Sequence, residues 1–307
     1  MEDASALKDR QHNLLIRARM IQAIRRFFID RDYLDIETPL RVPTLAPEAN
    51  IDAVPSDGWF LQTSPELCMK RLLAAGYSKI FQISKCFRGA ERGRLHVPEF
   101  TMIEWYRSGA DYRNLMDECE DLVLFVAEQL DRDGTVTFRG RSIELEKPWE
   151  RISVRDAFLR YTPVTMEEAL ADDSFDEVMV TDIEPRLGRG TPTFLYDYPA
   201  SRAALARKKK DDQTVAERFE IYMGGLELAN AFSELTDPDE QRRRFDEEQE
   251  YRRQAGRTVY PPAEKFLQAL ANMPAAAGIA LGIDRLAMIF TDSASIDDVV
   301  AFAPEEL

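Results

Sequence analysis

Three cysteines in 307 residues, Cys68, Cys86 and Cys119, form no CxxC and no Cys/His cluster. That argues against a disulfide framework and a zinc site and predicts ordinary buried thiols. Positive charge is in deficit: 55 acidic residues stand against 40 basic ones, for a net charge of -15. Such a chain is not built mainly to grip nucleic-acid backbone, although a local basic patch would still dock an acidic partner. Long apolar runs are also missing. Leu122–Ala127 and Ala275–Leu281 fall far short of the roughly 20 residues a membrane helix needs, and Met1-Glu2-Asp3 opens no basic-then-apolar leader. A cytoplasmic protein with no membrane role is expected. What is plentiful is core: 45% of residues are hydrophobic, with no internal repeat, low-complexity tract or linker, which predicts one compact domain over residues 1–307.

Leu14, Ala18, Ile21, Ile24 and Phe28 recur at helical spacing and predict a helix over 13–30. Tyr33–Ile36 then reads as a short extended stretch ended by Pro39. Ser64-Pro65-Glu66 reads as a helix start, with Ser64 as N-cap and Pro65 at the first helical position, and Gly76 as its stop. Lys79–Phe87 and Phe100–Tyr106 read as strands joined by the polar loop Arg88–Val97. Between Asp131 and Asp212 chemistry is sparse. Gly188–Pro192 suggests a loop there, and Arg207–Asp212 a solvated charge run. Phe219–Tyr222 reads as a strand and Asp237–Arg257 as an exposed helix. Ala275–Phe290 reads as a strand, a glycine turn and a helix beginning near Asp284.

Three stretches carry chemistry. Strand alternation over 100–106 puts Phe100, Met102, Glu104 and Tyr106 on one face. An aromatic plate can stack a purine, and a carboxylate beside a phenol can receive an ammonium group. Arg88 and the arginine-rich loop after it suit phosphates. Alone, Glu104 would be a surface acid and Phe100 a core residue; their concentration argues for a site. Glu220, Glu227 and Glu234 recur every seven residues in apolar surroundings, with Asn230 among them. Spacing alone favours the exposed face of an amphipathic helix. The alternative is a set of oxygen ligands for magnesium, as ATP chemistry requires. Last, Gly278–Arg285 combines glycines that permit close approach with Arg285 in the first turn of a helix, a place suited to anions.

In this order, the stretches resemble the motifs of class II aminoacyl-tRNA synthetases, and in detail the lysine branch. Leu34–Pro39 is similar to motif 1, Phe87-Arg88 through Glu104-Trp105-Tyr106 to motif 2, and Gly282–Arg285 to motif 3. The resemblance runs from about residue 12 to 304. It implies an α+β fold with an antiparallel sheet flanked by helices, a homodimer, and ATP bound bent with Mg2+. Motif 1 begins too early for the N-terminal anticodon-binding barrel of lysyl-tRNA synthetases, so stable tRNA binding is not expected. The shorter form resembles the ligases that attach (R)-β-lysine to a lysine side chain of elongation factor P, which implies that protein as acceptor and lysine or β-lysine as substrate. Ser64, where synthetases usually have Ala, and Ala280, where they usually have Gly, agree with a pocket reshaped for the β-isomer.

The resemblance also implies roles. Arg88 would hold the α-phosphate and substrate carboxylate, Arg285 the outer phosphates with His96, and Phe100 the adenine. Glu220 and Glu227 would hold magnesium. Glu104, Tyr106 and Glu234 would receive the distal ammonium, Glu66 beside Ser64 and Pro65 the other amino group, and Asn230 the carboxylate, with Leu228 and Gly282 lining the ATP side. The family's Asn-Glu after the motif 2 arginine is Gly89-Ala90 here, with Glu91 as a substitute adenine contact, and the Asn after the motif 2 histidine is Val97. Two alternatives stay open: an enzyme activating ordinary lysine for tRNA or another acceptor, and a silent paralogue with a binding or regulatory role.

Overall fold

The computed structural model of the protein describes residues 7–307; Met1-Glu2-Asp3 lies outside them. Helix α1, Gln11–Ile29, is a residue or two from the expected bounds and buries Met20, Ile24, Phe27 and Phe28. Phe28 stacks on Phe81 at 5.0 Å and leans on Trp105 at 4.9 Å, which pins the helix to the sheet. The chain then gives β1 (Leu34–Asp35), a small sheet of β2 (Arg41–Val42), β3 (Pro55–Ser56) and β4 (Trp59–Leu61), and helix α2 (Glu66–Ala74). Helix α2 starts one residue later than expected, although the Ser64 hydroxyl still accepts the Glu66 N–H at 3.0 Å. Gly76, at φ +98°, stops it as expected.

β5 (Lys79–Phe87) has the expected bounds, and β6 (Glu99–Ser108) pairs with it antiparallel, Gln82 opposite Glu104. Helix α3 (Tyr112–Gln129) follows, capped reciprocally by Asp111 and Asn114. The chemically quiet stretch builds the hairpin β7 (Thr135–Phe138) and β8 (Arg141–Glu144), strand β9 (Glu150–Ser153), short helices α4 (Val154–Tyr161), α5 (Met166–Ala171) and α6 (Phe175–Val178), and β10 (Thr193–Pro199). The 207–212 run is not a free solvated loop: Lys209 pairs with Asp197 and Arg207 with Glu217, holding it against the sheet.

The seven-residue spacing of Glu220, Glu227 and Glu234 does not ride a helix. It folds across β11 (Val215–Met223) and β12 (Leu226–Ser233), an antiparallel hairpin turned by Gly224-Gly225, both at positive φ. Helices α7 (Pro238–Gln254) and α8 (Glu264–Leu270) lead to β13 (Ala276–Gly282), which runs into α9 (Ile283–Phe290) with Gly282 as its cap rather than through a separate turn.

The main sheet has eight strands in the order β1-β5-β6-β13-β12-β11-β10-β9. It is antiparallel except for its two edge pairs, β1 with β5 and β9 with β10, which are parallel. One face packs Phe81, Ile103, Trp105 and Ile279 against α1, α3 and α9. The other carries Ile80 and Tyr106 toward α2, α7 and α8. Alternation therefore gives the first face to the core and leaves the second for polar groups.

Candidate active site

On that second face the register sets one row of side chains across four neighbouring strands: Glu104 opposite Ala280, Ala280 opposite Asn230, and Asn230 opposite Glu220. Strands two apart are separated by roughly 10 Å, the reach of an extended lysine-length chain hydrogen-bonded at both ends. The next row sets Tyr106 opposite Gly278, Gly278 opposite Phe232, and Phe232 opposite Arg218. A Cβ on Gly278 would come within 2.2 Å of the Tyr106 ring and 2.5 Å of Glu234, so this glycine's close approach is sterically required. Gly282 has no such constraint: its nearest neighbour, the Leu228 carbonyl, would be 3.8 Å away.

At one end of the row lies an acidic pocket. Glu104 is buried and accepts the Tyr106 hydroxyl at 2.7 Å and the Ser64 hydroxyl at 2.6 Å. Burial, and then the Glu66 charge, push its carboxyl up to about 8 against those two donors. Glu234 is fully buried and also pushed up to about 8, by burial above all. Between Glu66 and Glu234 sits Lys70, which sequence reading missed, 2.5 Å from each carboxylate. Glu66, Glu104, Tyr106, Glu234, Ser64 and Ala280 are thus brought together.

Along the strands from that pocket, where β5 and β13 end and β6 begins, are the cations. The Arg88 guanidinium lies 5.1 Å from the Phe100 ring centroid, with Glu91 3.8 Å away. Arg285 meets His96 at 2.6 Å and donates to the Glu227 carbonyl at 2.8 Å. Burial and the Arg285 charge lower the His96 pKa, so the neutral ring accepts. The loop after Arg88 is set by Gly89, whose N–H donates to the Asp52 carbonyl at 2.6 Å, and by Ala90 at φ +62°. The Val97 and Leu228 side chains are buried in the core beneath this site.

An acidic amine pocket and a group of cations on neighbouring strands of one sheet fit the activation of an amino acid. Residues 4–306 match the model of class II tRNA synthetases for D, K and N. The chain belongs to this class II synthetase family. It is 39% identical to the elongation factor P–(R)-β-lysine ligase of Pectobacterium atrosepticum over 95% of each chain. The same-named ligase of Pectobacterium carotovorum is 41% identical over 95% of each, and that of Yersinia enterocolitica 39% over 94% of each.

In this family member a magnesium site would be built on Glu220 and Glu227. Glu220 accepts Arg218 at 2.6 Å and the Tyr198 and Tyr222 hydroxyls, each at 2.6 Å. Glu227, with 41% of its side chain open, is pushed up by partial burial and then by the Glu220 charge. Glu184 joins them, pushed up to about 7 by burial and those two acids. Among the described residues no group of three ligating side chains forms a closed metal cage. A mutually repelling carboxylate pair nonetheless fits Mg2+, which takes one or two carboxylates and shares the rest of its shell with phosphates.

Sequence reading missed Lys70, Arg218, Glu184, Tyr198 and Glu48. Arg218 is half-buried in the neighbouring row and donates to both Asn230 and Glu220, fixing two expected ligands at once. Glu48 is pushed up to about 7 by burial, with the Arg88 charge opposing and the Glu66 charge adding to the shift. Lys70 and Arg218 each have one partner close by, Glu66 and Glu220, but Glu234 and Asn230 come from other parts of the chain, so local spacing does not mark the cluster.

Proposed function

We propose that the chain is an ATP-dependent ligase that adenylates (R)-β-lysine, or lysine, and transfers it to a lysine side chain of elongation factor P. It acts in the cytoplasm as a homodimer. The row Glu104–Ala280–Asn230–Glu220 carries this reading, since it sets an acid for the amine and an amide for the carboxylate two strands apart on one face. Glu104, Tyr106 and Glu234 receive the distal ammonium, Glu66 the other amine, and Asn230 the carboxylate. Phe100 stacks the adenine, while Arg285 and His96 hold the outer phosphates.

The substrate carboxylate attacks the α-phosphorus in line, an oxygen–phosphorus bond forms, and the bond to pyrophosphate breaks. Arg88 beside the α-phosphate stabilises the negative charge that develops. Positioning and charge neutralisation carry this step without a protein base. The acceptor lysine, as a free amine, then attacks the acyl carbon and expels AMP. Mg2+, when bound at Glu220 and Glu227 with the phosphates, screens the charge of the triphosphate.

Pyrophosphate exchange into ATP should be stimulated by β-lysine more than by α-lysine, and co-incubated elongation factor P should gain the mass of one β-lysyl group. Purified tRNA should not be charged. Exchange stimulated by neither isomer at any ATP concentration would remove the proposal.

A further inference from the structure

Lys70 is fully buried on the first turns of α2, an uncommon place for an ammonium unless its surroundings demand a cation. Burial pulls its pKa down, but the Glu234 and Glu66 carboxylates outweigh that and hold it protonated. The Phe232 ring lies beneath it at 4.9 Å. The other titratable groups facing the pocket are Glu66 from the same helix, Glu104 and Tyr106 from β6, Glu234 after β12, and Glu48 beyond Glu66. One oxygen of Glu234, Oε1, has no hydrogen-bond donor although its side chain is fully buried. A buried acceptor without a donor calls for a ligand that supplies one. With all three carboxylates ionised, the one internal ammonium leaves the pocket at a net double negative charge.

We propose that Lys70 sets amine selectivity: by neutralising one of the three carboxylates Glu66, Glu104 and Glu234, it leaves a charge matched to a substrate with two ammonium groups. This rests on reading those acids as the amine pocket. Lys70 touches no substrate atom in this scheme; it is a positioning residue that holds Glu66 and Glu234 from between and opposes the rise that burial imposes on the Glu234 carboxyl. A substrate with one ammonium would leave a buried carboxylate uncompensated, or force it to take a proton. Removing Lys70 should do the same to the empty pocket. Its carboxylates would hold protons to higher pH, and a diammonium ligand would have to expel them before binding.

The test is calorimetric binding of β-lysine and of norleucine, which lacks the distal amine, between pH 6.5 and 9, to the wild type, Lys70→Met and Lys70→Arg. Each unit by which a carboxyl pKa rises above the working pH weakens binding about tenfold. The wild type should bind β-lysine, release protons as it does so, and reject norleucine. Lys70→Met should bind β-lysine about tenfold or more weakly at pH 7, release more protons, and recover toward wild-type affinity by pH 9. Lys70→Arg, which keeps the charge, should hold the pH profile in place even where its affinity is lower.

A merely structural lysine predicts a uniform loss in Lys70→Met with no recovery at high pH, and that result would overturn the proposal. So would a wild type that binds norleucine as tightly as β-lysine, a measurement that stands even where Lys70→Met does not fold. Binding is read without ATP, which keeps the outcomes separate. A wild type that binds β-lysine but supports no exchange removes the ligase reading alone, whereas failure to bind either isomer removes both.

Discussion

A carboxyl that holds its proton to about pH 8 inside a folded protein is an acid waiting for a cation, and this pocket has two, Glu104 and Glu234. The sign of the linkage follows. In the unfolded chain both ionise in the usual carboxylate range, so between that range and pH 8 the folded state binds more protons, and stability falls as pH rises through this window. A diammonium ligand replaces the protons. Thermal unfolding of the ligand-free protein should therefore occur at lower temperature at pH 8.5 than at pH 6.5, with the stabilisation by saturating lysine or β-lysine growing over the same interval; a ligand effect independent of pH would contradict it. Arg88→Met should cost about a hundredfold or more in exchange rate, as loss of a preorganised charge-stabilising group does, with folding intact by circular dichroism. The pairing of Glu104 with Tyr106 was legible because strand period alone puts them on one face. Lys70 was not: four residues after Glu66 on a helix, it reads as an ordinary surface pair. Only Glu234, arriving from the far end of β12, turns that pair into a buried triad.

Among elements, the β5–β6 hairpin was legible and the β11–β12 hairpin was not, for a definite reason. A repeat of seven fits two turns of helix as well as it fits a hairpin whose turn falls between the repeats. The deciding signal was present in Gly224-Gly225, a pair suited to positive φ at both turn positions, between two β-rich runs. Strand contacts bring a second dependence. Gly278→Ala would drive a methyl into the Tyr106 ring and the Glu234 carboxylate, so it should raise the KM for the amine substrate at least as strongly as Tyr106→Phe while leaving the KM for ATP nearly unchanged. Helix α7, read as exposed, buries Gln241, Phe245 and Arg252, and Arg252, fully buried, donates to the Glu48 and Ile51 carbonyls and to Asp52. Asp52 in turn accepts the Gly89 N–H beside Arg88. Arg252→Met should therefore lower stability by about 3 kcal/mol, because it strands buried acceptors, and should lower kcat for adenylation through a motif 2 loop no longer fixed; denaturant unfolding and exchange kinetics measure the two effects.

At the scale of the whole molecule, a net charge of -15 opposes self-association unless apolar surface outweighs it. Some of that surface lies at and beside the stretch similar to motif 1. β1 is the sheet's edge strand and pairs only with β5, and Leu34 on it is 49% exposed. Leu40, a few residues on, is 42% exposed, and Ile29 at the end of α1 is 55% exposed. An open strand edge flanked by large apolar side chains is prone to pair with another chain, and a second copy related by a two-fold axis would cover it with the same patch. No spacing within one chain signals this, since the residues that would bury Leu34 belong to another copy. Sedimentation velocity should give a dimer for the wild type. Leu34→Asp with Leu40→Asp should give a folded monomer, whose exchange activity falls because motif 1 no longer has a partner to brace it against the motif 2 strands. A wild-type chain that sediments as a monomer at micromolar concentration, with full exchange activity, would show instead that β1 is covered by nothing and that the site stands complete in one copy.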